Sequence, residues 1–230
     1  KMGRDRLFDV LSANYLLVKR RKKQTITTNS YHRFKKYPNL IRNFIPTEPN
    51  QLWASDITYW KIATGFVYIS FITDAYSRKI VGSHVAQTME AVETMEALKT
   101  AISGLRKGPD CPFQLTHHSD RGMQYCSDKY VKLLQNNNIG ISMTENGDPL
   151  ENAIAERVNG IIKEEYLNDY QVNNIMEARE LLDLVVKLYN NERPHMSIGN
   201  LTPNQVHQNN IKTEKLWKNY YIKNPIIVNQ

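Results

Sequence analysis

The sequence predicts an α/β protein: a mixed five-stranded sheet flanked by helices, preceded by a basic arm that is part helical and part extended. Three observations point there. From Gln51 onward, three consecutive strand-like runs are joined by short turns. After the third, helical and strand patterns alternate. The net charge of +7 is wholly owed to residues 1–45, which hold 12 Lys/Arg against 2 Asp/Glu.

Residues 4–18 carry apolar positions at Leu7, Phe8, Val10, Leu11 and Tyr15–Val18, which suits a short helix, a turn and an extended piece. Residues 24–50 are polar, contain Pro38, Pro46 and Pro49, and read as a linker. "QLWASDITYWKI", "FVYISFITDAY" and "KIVGSHVAQT" are strands, separated by turns at Ala63–Gly65 and Ser77–Arg78. "MEAVETMEALKTAISGLRK" has helical spacing at Val92, Met95, Ala97, Leu98 and Ile102. "FQLTHHSD" is a fourth strand, "SDKYVKLLQNNN" a short helix and "IGISMTE" a fifth strand. Three helical stretches follow, starting near 149, near 174 and at "TPNQVHQ". An antiparallel meander followed by βαβα alternation makes a mixed sheet.

The bulk numbers exclude several classes. The 230 residues are 41% hydrophobic, enough for a sizeable core. No run of 18 apolar residues occurs, so no membrane span is predicted. Two cysteines, Cys111 and Cys126, make no disulfide framework and fit a reduced, intracellular protein. The opening "KMGRDRLFDV" reads as the interior of a longer chain. The block "VKRRKKQTITTNSYHRFKKYPNLIR" attracts a polyanion, and its aromatics Tyr31, Phe34 and Tyr37 favour a segment that tracks nucleic acid.

The stretch "TENGDPLENAIAERVNGIIKEEY" carries six carboxylates, and their positions sort them. Asp148-Pro149-Leu150-Glu151 has the look of a helix start, with Asp as N-cap, Pro at the first helical position and an acid three residues on. At 100° per residue, Leu150, Ile154, Val158, Ile161 and Ile162 form a core-facing stripe. Glu156 and Lys163 lie opposite it, flanked by Asn152 and Asn159. Glu164 and Glu165 fall near the helix end, where acids oppose the macrodipole. Taken alone, Glu156 reads as a solvated surface acid. Two more acids change that reading. Asp56 interrupts a strand, where Asp is disfavoured, and Asp120 ends another. If those strands are neighbours, the two acids meet near the sheet centre, and a helix beside the sheet can bring Glu156 to them. Three converging carboxylates need a cation between them, and hard oxygen ligands suit Mg²⁺.

The segments "SDITY", "FITDAYSRKIVG", "HHSDRGMQY", "SMTENGDPLENAIAERVNGIIKEEY" and "YNNERPHMSIGNLTP" together resemble bacterial insertion-sequence transposases of the DDE superfamily, whose catalytic domain is like that of retroviral integrase. The similarity runs in order from about residue 51 to 207, and residues 4–45 resemble the end of that family's helix-turn-helix region. Asp120 and Glu156 have 35 residues between them, the family's spacing, and Lys163 matches its basic residue seven positions after the Glu.

The resemblance implies a ribonuclease H-like catalytic core at 51–208, behind a helix-turn-helix remnant at 1–23 and a basic linker at 24–50, with a tail at 209–230. It implies Asp56, Asp120 and Glu156 as catalytic residues holding two Mg²⁺ per site, with Mn²⁺ able to substitute. Lys163, with Arg20, Arg21, Lys22, Lys23, Arg33, Lys35 and Lys36, is expected to contact double-stranded DNA, both terminal inverted repeats and target. A homo-oligomer on DNA and a cytoplasmic, nucleoid-associated location follow. The alternatives are a ribonuclease H-like nuclease or junction resolvase without strand transfer, and an inactive DNA-binding copy. Asp74 is expected to stabilise its turn, His117 and His118 to lie in a buried strand rather than bind zinc, Trp53 and Trp60 to be core, and Arg193-Pro194-His195 to shape a loop.

Overall fold

A computed structural model describes residues 2–17, 32–42, 44–105, 115–145, 149–214 and 216. Alternating apolar residues produce β1 (Leu52–Ile62), β2 (Gly65–Asp74) and β3 (Ile80–Ala86). They pair antiparallel, with β1 and β2 in register from Trp53↔Asp74 to Ile62↔Gly65. Gly65 has a φ of +131°, which a side chain would strain, and so permits the tight hairpin. Two parallel strands complete the sheet, β4 (Thr116–Ser119) and β5 (Gly140–Met143), in the order β3-β2-β1-β4-β5.

Helices cover both faces. On one lie α2 (Ala91–Ser103), α3 (Met123–Cys126) and α4 (Asp128–Asn136), packed around Trp53, Ile72, Leu98, Tyr130 and Leu134. A Cβ on Gly82 would collide with the Ala97 carbonyl, so glycine is what lets α2 settle onto β3. On the other face, α5 (Ala153–Ile161) and α6 (Ile175–Glu192) pack Val158, Ile162, Leu182 and Tyr189 against Trp60, Ile69 and Phe71. The expected tryptophans are thus core. The short α7 (Pro203–Asn209) opens with a Thr202/Gln205 capping box and Pro203.

Three expectations need correction, and a fourth, Asp148 as N-cap, lies outside the described residues. Pro149–Asn152 form a 3₁₀ turn, and the Glu151 carboxylate reaches back to the Glu145 N–H at 2.7 Å. After Ile161 the helix widens into a π turn, Ile162–Leu167. Asn152 and Asn159 are buried rather than flanking an open face. The aromatics of the basic block do not all stand free: Tyr31 lies outside the described residues, while Phe34 and Tyr37 pack against the core. There the chain docks beside β5, with Met143 N–H donating to the Pro38 carbonyl at 3.2 Å and Leu40 N–H to Ser142 Oγ at 2.9 Å. The helix α1 (Arg4–Ala13) buries none of its residues.

Candidate active site

The site forms where β1 loses a neighbour. Strands β1 and β4 pair only from Leu52↔Thr116 to Ala54↔His118. Carrying that register two residues further sets Asp56 level with Asp120. At Asp120 the chain turns away, its Oδ1 accepting from Gly122 N–H at 2.9 Å. Beyond Ala54, the edge of β1 that faced β4 has no strand against it among the described residues, and the helical run 149–167 supplies side chains there instead. Asn152 Nδ2 donates to the Ser55 carbonyl at 3.0 Å, Asn159 Nδ2 to Asp56 Oδ2 at 2.8 Å, and Lys163 Nζ to Thr58 Oγ1 at 3.3 Å. The other Asp56 oxygen accepts from Ile57 N–H at 2.9 Å. An Asp in a strand is stabilised here because both oxygens have donors.

The electrostatics tie the three acids together. Burial pushes the Asp56 carboxyl up to about 7, and the Asp120 charge adds to it. The Ile57 N–H opposes the rise, the Glu156 charge raises it further, and the Asn159 amide opposes it. Glu156 stands exposed on the first turn of α5. Among the described residues no three His, Cys, Asp or Glu side chains close into an ion cage. The donor set nevertheless fits a divalent cation: all-carboxylate, hard, and including an Asp whose carboxyl burial raises to about 7.

Two family models described as integrase core domain match residues 46–149 and 137–203. The uncharacterized 31 kDa protein of insertion element IS600 from Shigella sonnei is 36% identical over 204 residues, which is 88% of this chain and 74% of that relative. The chain belongs to the integrase core family of insertion-sequence transposases. The transposase for insertion sequence element IS629, also from Shigella sonnei, is 36% identical over 163 residues, 70% of this chain. The chain spans about half, 53%, of that relative's length. Among solved structures, the HTLV-2 integrase catalytic core domain in complex with magnesium superposes with a TM-score of 0.54 at 21% identity, covering 70% of this chain and 97% of that one. The ribonuclease H-like fold expected from the sequence is therefore the fold observed.

Around the acids of this integrase core the supporting residues are neutral. His117 Nε2 lies 2.7 Å from Ser55 Oγ and 3.0 Å from the Tyr130 hydroxyl, and burial drives its pKa down to about 3. His118 bonds Ser142 Oγ at 2.9 Å and falls to about 4, again through burial. Cys126 is buried against the Met143 sulfur at 3.5 Å, and Cys111 lies outside the described residues. Asp74 does stabilise its turn: it takes Ser77 N–H at 2.7 Å and Asn50 N–H at 2.7 Å.

The expected DNA contacts separate. Arg20, Arg21, Lys22 and Lys23 lie outside the described residues, whereas Arg33, Lys35 and Lys36 are exposed. Lys163 is half-buried, its ammonium 4.3 Å from the Tyr59 ring centre, and desolvation lowers its pKa. Glu165 is not a stray acid opposing a helix end. Arg193 grips it with two bonds, 2.6 and 2.7 Å, and the hydrogen bond from Arg193 holds its carboxyl below the ordinary value. His195 stacks edge-on to Tyr189 at 5.1 Å, so the Arg-Pro-His loop is a fastening between α6 and the π turn. Sequence reasoning missed Asn159, Asn152 and Tyr59 as site residues. The available signal for Asn152 and Asn159 was polar character beside the apolar stripe, three residues from Glu156 in the case of Asn159, whereas Tyr59 in β1 had none.

Proposed function

We propose that this chain is a DDE transposase that cuts DNA at insertion-sequence ends and transfers the freed strand to target DNA. One observation supports it most: the charges of Asp120, just past the end of β4, and of Glu156, on α5, both act on Asp56 at the open end of β1. Their carboxylates would hold divalent cations, of which Mg²⁺ is the best match in hardness, two per site, with Mn²⁺ as a substitute. When bound, the ions activate water or a DNA 3′-hydroxyl and stabilise the leaving oxygen of an in-line phosphoryl displacement. To hold a cation Asp56 would have to be ionised. Asn159 and the Ile57 N–H fix the Asp56 oxygens in place, so that their remaining lone pairs face the site. Lys163 orients a DNA phosphate beside the scissile bond. No Ser or Tyr nucleophile is required, since the attacking oxygen comes from water or DNA.

Residues 51–208 form the catalytic core in this reading, and 1–23 with 24–50 supply a basic DNA-tracking arm ahead of it, with 209–230 as a tail. Two element ends must be joined, so the active species is an oligomer on double-stranded DNA. Among the described residues no helix is long and apolar enough to cross a membrane. Action on DNA would put the protein in the bacterial cytoplasm, associated with the nucleoid. The test uses labelled element ends and target DNA with Mg²⁺. Joined products support the proposal, cutting without joining supports a nuclease or resolvase, and retardation alone supports an inactive DNA-binding copy. Glu156→Gln should stop cutting and joining while DNA binding persists.

A further inference from the structure

Tyr125 lies in α3, the short helix that follows the Asp120 turn, and is buried. Its hydroxyl has no protein hydrogen-bond partner among the described residues. The neighbouring Tyr130 is satisfied, since its hydroxyl meets His117 Nε2 at 3.0 Å. The two rings stand edge-on, 5.3 Å between centres, and the Tyr125 ring is 6.1 Å from that of His117. His117 in turn meets Ser55, the residue before Asp56. Tyr125 therefore lies on the Ser55 side of β1, five residues after Asp120, and near enough to both aspartates for their charges to act on its phenol. Burial first, then Tyr130, Asp56 and Asp120, hold the phenol well above its ordinary pKa, so it remains a donor. A buried donor with nothing to bond is costly and calls for a reason. Phenylalanine would fill the same space without that cost.

We infer that Tyr125 is a positioning residue of the active site: its hydroxyl donates to a water held between the Asp56 and Asp120 carboxylates, and that water completes the hydration of a divalent ion bound there. The inference rests on the two-aspartate ion site proposed above. An outer hydrogen bond of this kind holds ion-bound water in one orientation and commonly changes metal affinity ten- to a hundredfold.

The test compares the full chain with its Tyr125→Phe, Tyr130→Phe and Asp56→Asn variants. Mn²⁺ is titrated without DNA, following free ion by electron paramagnetic resonance, and melting is recorded in EDTA. Tyr125→Phe should melt no lower than the unaltered chain and bind Mn²⁺ roughly tenfold more weakly. Tyr130→Phe should melt lower, through its lost His117 bond, and keep its Mn²⁺ affinity. Unchanged Mn²⁺ affinity in Tyr125→Phe would overturn the inference alone, and so would a much lower melting point, which would assign the hydroxyl to the fold. If the unaltered chain and Asp56→Asn bind Mn²⁺ alike, the ion site itself is wrong.

Discussion

Asn159 and Asp56 stand 103 positions apart in the sequence, yet the amide of one meets the carboxylate of the other at 2.8 Å. That bond favours the charged form of an Asp which burial and two acids push towards the neutral form. In the proposed reaction Asn159 would hold Asp56 ready to bind a cation, although it carries no charge itself.

Removing that donor should move chemistry along the pH axis. In Asn159→Leu, similar in shape though bulkier, the Asp56 pKa should rise further, so end cleavage should demand a higher pH. The pH–rate profile should shift to the alkaline side while DNA affinity stays near that of the unaltered chain. An unmoved profile with a lower plateau would mean that Asn159 only packs.

Without divalent ions, stability should fall as pH rises from about 4 to about 7. The sign follows from Asp56, whose carboxyl lies near 3.8 when unfolded and at about 7 in the fold. A raised folded value stabilises fully below the unfolded pKa and loses that contribution as pH passes the folded one, with a slope of at most ~1.4 kcal/mol per pH unit. Denaturant melts in EDTA at pH 4.5, 6 and 8 would measure it. Asp56→Asn should flatten this trend and be the more stable chain at pH 8. Added Mg²⁺ should oppose the trend by stabilising the ionised carboxylate. A trend unaltered by Asp56→Asn would place its origin elsewhere.

Lys163 should behave as a seated cation rather than a free one. Thr58 and the Tyr59 ring hold its ammonium on the open edge of β1. Lys163→Ala should cost the fold only about 0.5–1 kcal/mol, the scale of one such contact. It should lower the salt slope of end binding by roughly 1 and slow cleavage. Tyr59→Leu keeps the charge and removes the seat, so it should slow cleavage while leaving the salt slope nearly intact. Equal slopes in Lys163→Ala and the unaltered chain would remove Lys163 from the DNA contacts.

Strand and helix order could be read along the chain because both signals are local. Alternation in "FVYISFITDAY" and helical spacing after Met89 concern residues a few positions apart, and turns at Gly65 and Ser77 punctuate them. The spacing of Asp120 and Glu156 was equally visible, and its family resemblance named the fold. Other features had no local signature. Glu165 looked misplaced until Arg193, 28 positions away, closed on it. Phe34 and Tyr37 looked like nucleic-acid contacts because their interspersed charges were all the sequence displayed, yet β5 and its neighbours offer them an apolar surface.

The sequence alone therefore supplied the identities of the three acids and the elements that bear them, since type and period are written in neighbouring residues. How near they come to one another was left to tertiary structure. It depends on the register of β1 against β4, on β1 outrunning its partner after Ala54, and on a π turn that brings Lys163 to Thr58. Each of these is set by packing between segments far apart in the chain, where side-chain volume and burial choose among alignments that the local pattern leaves equivalent.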